Sequence, residues 1–568
     1  MTVVFLMQLL VLVLSVTHCF FSRLKNAILA FSALNAIVSL YVFFVHLNNP
    51  HSHYSCFMSL LFGCNLGISS NSLSIVLGTI VIVISSVISC FAYGFMRKKL
   101  EHFLCYLNAL TLFMLVFVCS DNLFQAYIFY GLSSITAYFF IHFDNNTLIK
   151  HNDYCVPNLI GNALILAALI AIKYNFNTLR FEDISNIIIS SDIMLTRSEI
   201  ITCLITFGLL IKSSQFLASR WIKTTMLAPL PSTILIQTMI AMNIFVIIWL
   251  QNLLDYSVIS QTLLILFGIA TSVWCAIKAM HAKSLNSMLA YSTNSQIGLM
   301  FMACGFSSYS SVIIIFATYS FSKLLLFLSV GSVQYSLSGE NKIENMGGLF
   351  ELLPKTYVAF IIAAISLINI PLLPSYYAKK QLIMEIVSSS SPMCYSAMFA
   401  MIISSIFLCI CLFRMIYFIF HGHSHVDEVA LAYVNEKNHY INIALYVSMF
   451  FALFSGVIFY YFVLTDVVWK EVFAFIYSSS TSSVWAFTII NIVGIVGSLF
   501  IYKGIKYKSF DFKYKIDIIQ LSDIYAFIEK ISLRRLFVFN QKFSFYIDNK
   551  IFFLLFLMLL FLKVLRAV

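Results

Sequence analysis

Long apolar stretches follow one another along almost the whole chain, and only short polar segments separate them. Each stretch is about 20 residues long, which is the length a helix needs to cross the hydrocarbon of a bilayer. Of the 568 residues, 61% are hydrophobic and only 10% are charged, too few to cover a surface that faces water. Because helices satisfy their own backbone hydrogen bonds in lipid, the sequence predicts an all-α integral membrane protein.

The apolar runs predict about sixteen transmembrane helices. They lie at 3–21, 27–46, 70–95, 102–120, 122–142, 155–173, 200–219, 228–250, 259–278, 284–304, 309–334, 356–390, 393–420, 440–464, 482–502 and 551–566. The first run has neither the basic start nor the small-residue cleavage site of a signal peptide, so we interpret it as a retained span.

Positive charge is concentrated in alternate loops between these spans. The basic loops carry Arg23, Lys25, Arg97, Lys98, Lys99, Lys150, Arg220, Lys223, Lys278 and Lys283. The other loops carry no Lys or Arg from Asn48 to Asn71, and only Asp121 and Asp255 near two later crossings. The segment 174–199 on the same side carries two arginines, Arg180 and Arg197, against four acidic residues. We call these two faces the basic side and the outer side. The positive-inside rule places the basic side in the matrix or cytoplasm, so topology explains the net charge of +11 without nucleic acid.

Residues 503–550 are too charged to cross the membrane. Their apolar residues recur at helical spacing, at Leu521, Ile524, Tyr525, Ile528 and Ile531. This pattern favours an amphipathic helix lying along the membrane surface before the last span, and a plain polar linker is the alternative.

The thirteen cysteines and a histidine run provide no metal-site pattern. The cysteines are scattered through apolar stretches, which is typical of small packing residues and not of disulfide, zinc or iron–sulfur spacing. His421, His423 and His425 stand in a polar loop without further ligands, so we interpret them as a solvated loop.

Three lysines stand inside apolar spans, where a charge costs at least about 2.5–3.5 kcal/mol. Lys212 and Lys323 have no charged neighbour in their spans, and Lys379 follows an uncharged run but stands beside Lys380. A lysine amine can gain and lose a proton as its surroundings change, so a line of such residues predicts a proton relay. Two other interpretations remain: Lys379 reaching the interface, and Lys212 or Lys323 in buried structural ion pairs.

Prolines interrupt the apolar sequence next to two of these lysines. Pro229 and Pro231 follow Lys212, and Pro371 and Pro374 precede Lys379. Broken helices in the two halves of a transporter mark ion sites, because the freed backbone groups can bind water or ions. The pattern therefore indicates an internal structural repeat.

Met288–Met300 reads MLAYSTNSQIGLM and closely follows the pattern AYSTxSQLGLM. This pattern is a signature of the subunit 5 family of mitochondrial respiratory complex I, which the sequence resembles. FSKLLLFLSVGSV and PLLPSYYAKK follow in the family's order, and IKSSQF and APLPSTILI upstream resemble GKSAQF and GPTPVSALI. The similarity is strong over about 100 residues, beginning at His281, and weak in the first 150.

The resemblance implies an antiporter-like fold with two inverted five-helix repeats. It divides the chain into a three-helix segment at 1–100, repeats at 101–251 and 252–421, further spans at 422–502, and a lateral helix with a final anchor at 503–568. It also implies that Lys212, Lys323 and Lys379 form the proton relay. Gln237 and Tyr319, which replace family histidines, can order water but do not titrate near neutral pH.

The chain departs from the family pattern at several polar positions. Gly131 stands where the family has a glutamate that pairs with the equivalent of Lys212, and Asn162 replaces an aspartate. Ile315 replaces a second histidine near Lys323, Ser284–Ser287 replaces a charged DIKK motif, and Lys380 replaces an acid. The resemblance therefore leaves open a sparser relay or an impaired channel.

The resemblance implies a multi-pass subunit of the mitochondrial inner membrane that couples NADH-to-ubiquinone electron transfer to proton pumping. Its expected partners are other membrane-arm subunits, including a neighbouring antiporter-like chain, and inner-membrane phospholipids. We expect no cofactor in this chain, with flavin, iron–sulfur clusters and quinone bound elsewhere in the complex. A stand-alone cation/proton antiporter of the Mrp type and a structural subunit that no longer pumps are the alternatives.

Overall fold

A computed structural model describes residues 2–18, 25–48, 55–59, 65–69, 71–96, 98–143, 152–190, 195–219, 221–368, 370, 373–389, 392–422 and 436–465. The spans predicted at 482–502 and 551–566, and the surface helix predicted between them, lie outside these residues.

The N-terminal segment contains three helices and a β-hairpin. In order they are α1 (Thr2–His18), α2 (Lys25–Asn48), β1 (Ser55–Ser59), β2 (Asn65–Ser69) and α3 (Ser72–Phe95). The strands pair antiparallel, with Ser55 opposite Ser69. The hairpin was not predicted from the sequence. It belongs to the outer side, where the backbone N–H and C=O groups of the two strands bond to each other in place of helical partners.

A first group of spans follows α3. It comprises α4 (Leu100–Val118), α5 (Leu123–Ile141), α6 (Asn152–Phe176), the short α7 (Phe181–Ser190), α8 (Leu195–Lys212), 3₁₀ turns at Phe216–Ala218 and Trp221–Leu227, α9 (Leu230–Met242), α10 (Ile244–Trp249) and α11 (Gln251–Asp255). The predicted span at 228–250 is thus interrupted at Asn243, between α9 and α10.

A second group begins with α12. It comprises α12 (Val258–His281), α13 (Leu285–Gly305), α14 (Tyr309–Ser336), α15 (Pro354–Leu367), α16 (Pro374–Ser388), α17 (Cys394–Ile416) with a π-helical turn at Tyr417–His421, and finally α18 (His439–Thr465). The span predicted at 356–390 is not one continuous helix but two, and the interruption lies where Pro371 and Pro374 predicted a broken helix. Pro374 opens α16, where the lack of an N–H is harmless, whereas inside a continuous helix it would break a hydrogen bond.

Ten helices in the described part of the chain are long and apolar enough to cross a membrane, which agrees with the predicted all-α membrane class. The total of sixteen spans and the domain boundaries stay predictions. Each group of five crossings contains an interrupted fourth member with a buried lysine, α8 in the first group and α15–α16 in the second.

Contacts between loops agree with the alternation read from the charges. On the basic side, the Leu285 N–H donates to the Asn341 carbonyl at 2.9 Å. On the outer side, Arg180 forms an ion pair with Asp121 at 3.0 Å, and the Ser307 hydroxyl donates to Asp255 at 2.6 Å. Each pair joins loops that the predicted threading places on one face.

The helices differ greatly in how far they are buried within the chain. α14 is the most buried helix and packs against α3, α9, α13, α15, α16 and α18, whereas only a third of the most apolar window is buried in α2 and in α6. Large apolar side chains such as Ile37 and Tyr41 cover these outer faces, where lipid replaces water as the surrounding medium. The central helix is the one that carries Lys323.

Candidate functional site

All three predicted lysines are buried inside the helix bundle. Lys212 is the last residue of α8, Lys323 is in the middle of α14, and Lys379 is in the second turn of α16. They are 1%, 0% and 4% exposed, so Lys379 does not reach outward as the interface interpretation required. Among the described residues, no Asp or Glu forms an ion pair with any of them.

Lys212 is held by two uncharged partners. Its amine donates a hydrogen bond of 2.5 Å to the Oδ1 atom of Asn162 on α6, and it lies 4.0 Å from the centre of the Tyr130 ring on α5. The lysine stem passes directly over Gly161, where an added Cβ would overlap the Lys212 Cγ atom. A glycine is required at this point because α6 and α8 cross so closely.

Tyr130 connects Lys212 to the interruption between α9 and α10. Its hydroxyl accepts a 2.6 Å hydrogen bond from the side chain of Asn243 at that interruption. A cavity of about 30 Å³ is lined by Tyr130, Lys212 and Asn243 together with apolar residues. This volume can hold one or two water molecules, so there is room for water next to the buried Lys212 amine.

The two sequence motifs from opposite halves meet beyond Lys212. Ser214 adopts a left-handed φ of 57°, which turns the chain out of α8. Gln215 accepts a 2.8 Å hydrogen bond from Thr271 on α12 and donates to Asn294 on α13 at 3.4 Å. Asn294 donates in turn to the Ser214 carbonyl at 2.6 Å. IKSSQF and AYSTNSQ therefore form one buried polar cluster between the halves.

Lys323 contacts the same stretch of α13. Its amine donates a 2.7 Å hydrogen bond to the Ser292 hydroxyl, two residues before Asn294. Tyr319 lies one turn earlier on α14; its buried hydroxyl has no hydrogen-bond partner in the described ranges, and Thr293 is a neighbour. A buried hydroxyl without a partner favours an ordered water there, as predicted for Tyr319.

Gln237 has the same property on α9. It is fully buried, its Nε2 atom contacts the Met226 sulfur at 3.9 Å, and its Oε1 atom has no partner among the described residues. The free amide oxygen is consistent with the predicted water-ordering role, which stays a prediction.

Lys379 makes no hydrogen bond to a described side chain, but a polar cluster that sequence reasoning missed lies further along α16. The Glu385 carboxylate accepts hydrogen bonds from Ser310 at 2.9 Å, Ser311 at 2.6 Å and Gln381 at 3.0 Å. The only available signal was the Gln–Glu pair at i, i+4 on a lysine-bearing helix.

Other departures from the family pattern have local structural roles. At Gly131 an added Cβ would meet nothing within 4 Å. The α5 residue that contacts Lys212 is its neighbour Tyr130. Ser284 caps α13 by accepting the Ser287 N–H. His421 bonds to the Tyr357 hydroxyl at 2.9 Å, whereas His423 and His425 lie outside the described residues.

The sequence profile described as "NADH:quinone oxidoreductase/Mrp antiporter, TM" matches residues 120–404, half of the chain. NADH-quinone oxidoreductase subunit L of Rickettsia typhi is 30% identical over 413 residues, 70% of this chain and 62% of that protein. NADH-ubiquinone oxidoreductase chain 5 of Phytophthora infestans is 29% identical over 63% of this chain and 55% of that protein. The matched part thus spans less than two thirds of these two relatives.

The fold is similar to that of a chain in the Mrp complex from Dietzia sp. DQ12-45-1b. The TM-score is 0.79 at 18% identity, and the match covers 100% of this chain and 62% of that chain. This likeness confirms the antiporter-like fold that the sequence predicted.

Proposed function

We propose, because the chain belongs to the NADH:quinone oxidoreductase/Mrp antiporter family of membrane proteins, that it moves protons across a membrane as a membrane-arm subunit of an NADH:quinone oxidoreductase. In this function, electron transfer from NADH to quinone elsewhere in the complex drives conformational or electrostatic changes that move protons through this chain. The chain itself performs no redox step.

One observation carries the proposal: three buried lysine amines lie on interrupted or central helices, next to polar groups from both halves. Lys212 donates to Asn162, and Lys323 donates to Ser292. Gln215, three residues after Lys212, donates to Asn294, two residues after Ser292, and so connects the two sites. Desolvating an amine is expensive, so an apolar bundle keeps such groups only where they perform a task. The hydrogen-bond partners of Lys212 and Lys323 are uncharged, which favours proton transfer at these amines over a permanent structural ion pair.

Partners, cofactors and location follow from the same proposal. The chain would pack against other membrane-arm subunits, including a neighbouring antiporter-like chain, and against phospholipids. Flavin, iron–sulfur clusters and quinone would be bound by other subunits. The membrane would be the mitochondrial inner membrane, with the basic side in the matrix.

The experiment replaces Lys323 with Ala and measures the ratio of protons moved to electrons transferred in intact membranes. Lys173→Ala is the matched control, because Lys173 is exposed in the last turn of α6 and its amine donates to the nearby Asn177 carbonyl. We expect a lower ratio in Lys323→Ala and an unchanged ratio in the control. An unchanged ratio in both variants would favour a structural subunit, a reading consistent with Gly131 and Asn162 at family acidic positions.

A stand-alone Mrp-type cation/proton antiporter is the second candidate, favoured by the structural match of this chain to 62% of the Dietzia Mrp complex chain. Purification separates the two candidates. A complex I subunit co-migrates with NADH dehydrogenase activity, whereas an antiporter does not and exchanges monovalent cations for protons in vesicles without NADH.

A further inference from the structure

Four aromatic rings form a continuous series from the outer side of the bundle to Lys212. Phe181 opens α7, and its ring centre lies 5.0 Å from that of Trp249 at the end of α10. Trp249 lies 5.3 Å from Phe117 on α4, and Phe117 lies 5.4 Å from Tyr130 on α5. The Lys212 amine lies 4.0 Å from the centre of the Tyr130 ring. We call these four rings the aromatic series. Each separation between neighbouring rings is in the range of favourable aromatic pairs, about 4.5–7 Å.

We propose that Phe117 is a positioning residue, which holds the Tyr130 ring against the Lys212 amine from the middle of the aromatic series. The inference rests on the proposed function, because it concerns how fast Lys212 gains and loses a proton. The proton is carried by Lys212, and Phe117 acts on it through Tyr130.

The geometry at Tyr130 supports this role. Its hydroxyl accepts a 2.6 Å hydrogen bond from Asn243, which fixes the far end of the side chain. A hydrogen bond there still allows the ring to turn about its long axis. A cation–π contact requires the face of the ring to point at the amine, so a neighbour must hold the ring itself. Phe117, which is 2% exposed, is the buried α4 neighbour that contacts this ring.

Both contacts of Tyr130 lead to the same short helix. Asn243 stands immediately before α10, and Trp249, which packs against Phe117, is the last residue of α10. A shift of α10 therefore changes the hydroxyl contact and the ring contact of Tyr130 together. Coupling between distant groups can pass through such a contiguous set of packed side chains.

The outer end of the aromatic series is fixed to a loop that contains an ion pair. The Phe181 N–H donates to the Asp121 carbonyl at 3.3 Å, and the Asp121 carboxylate accepts from Arg180 at 3.0 Å. The Arg180 side chain is 41% exposed. The aromatic series thus connects a loop at the outer aqueous surface to an amine buried in the bundle.

Phe117→Leu tests the positioning role, because leucine is apolar but has no ring. Phe103→Leu is the matched control: Phe103 is also buried in α4, near the other end of the helix, and its ring contacts Phe140 and Phe143. The readout is the initial rate of NADH-driven proton movement in sealed vesicles, divided by the amount of complex assembled on a native gel. We expect Phe117→Leu to lower the rate about 2–12-fold, the effect of losing one aromatic pair, and Phe103→Leu to leave it unchanged.

A second comparison separates positioning from general packing. On a Tyr130→Leu background no ring remains to be positioned, so adding Phe117→Leu should lower the rate no further. A general packing defect at Phe117 would lower the rate on both backgrounds, because independent effects add in free energy.

A wild-type rate in Phe117→Leu, with a lowered proton-to-electron ratio in Lys323→Ala, would overturn the positioning role and leave the proposed function standing. An unchanged ratio in Lys323→Ala would overturn the proposed function itself. A further loss on the Tyr130→Leu background, or equal losses in Phe117→Leu and Phe103→Leu, would assign Phe117 a packing role and overturn the proposal. Should Phe117→Leu not assemble, Trp249→Leu decides: a lowered rate that Trp249→Phe restores supports the aromatic series, and any other result overturns it.

Discussion

The amine of Lys212 lies 4.0 Å from the centre of the Tyr130 ring and 2.5 Å from the Asn162 amide oxygen. A desolvated cation–π contact contributes about 2 kcal/mol, and a hydrogen bond to a charged group about 1.5–3 kcal/mol. A charge near the bilayer centre costs at least about 2.5–3.5 kcal/mol. The ring and the amide together can therefore offset most of this cost, although the family's glutamate is absent.

Removing the ring should consequently weaken proton uptake at Lys212. We expect Tyr130→Leu to slow proton movement through this chain by up to about thirtyfold, because about 2 kcal/mol of stabilisation of the charged amine is lost. Tyr130→Phe keeps the ring and loses only the bond to Asn243, so it should retain most of the activity. Initial rates of proton movement in sealed vesicles measure the difference; equal rates for Leu and Phe would contradict the cation–π role.

The two glycines near this site should respond in opposite ways to alanine. Gly161→Ala places a methyl group against the Lys212 stem and 3.1 Å from the Gly208 carbonyl, so α6 and α8 must separate or the lysine must move. We expect poor assembly or loss of proton movement. Gly131→Ala meets nothing within 4 Å and should be neutral or gain up to about 1 kcal/mol in helix stability. Assembly yield and proton-to-electron ratio compare the two, and identical behaviour would disprove the crossing contact.

Features that depend on local composition could be predicted from the sequence. The length of the apolar runs predicted most of the described spans. The alternation of basic loops predicted which loops lie on the same side of the membrane, and the loop contacts agree with it. The motif resemblance to the antiporter-like family is confirmed by the match over residues 120–404. The burial of Lys212 and Lys323 also followed from the sequence, because each interrupts an apolar run, whereas Lys379 beside Lys380 was left open between the interior and the interface.

Features that depend on distant contacts could not be predicted. Alignment by position directed attention to Gly131, whereas helix rotation places Tyr130 against Lys212. Glu385 was passed over because its partners, Ser310 and Ser311, lie about 75 residues earlier on another helix. The hairpin at Ser55–Ser59 and Asn65–Ser69 has five-residue strands, too short for a clear alternating pattern.

The loop after α14 should show a defined pH response through Glu340. The backbone N–H of Lys342 and the side chain of Asn345 hold the pKa of this carboxyl below its ordinary value of 4.5. Because the pKa of Glu340 is lower in the folded loop, its carboxylate stabilises the loop at any pH above the ordinary pKa. This stabilisation is lost as the pH falls through the lower pKa of the folded state. Hydrogen exchange of residues 340–345 should therefore accelerate on acidification. Glu340→Gln should exchange faster at neutral pH and show no such acid step; a step of the same size would exclude Glu340 as its origin.

The last prediction concerns Glu436, which caps α15 from a distant part of the chain. Its carboxylate accepts the backbone N–H of Thr356 at 2.8 Å, the Thr356 hydroxyl at 2.7 Å and the Lys355 N–H at 3.0 Å. The first N–H groups of a helix have no partner within the helix, and a negative charge there also interacts favourably with the positive end of the helix dipole. Losing this cap should cost about 1–2 kcal/mol, so Glu436→Ala should accelerate hydrogen exchange in the first turn of α15 by about 5–30-fold. Glu351→Ala is the control, because Glu351 is exposed three residues before the helix starts; equal exchange in the two variants would show that the carboxylate does not hold this end of the broken helix.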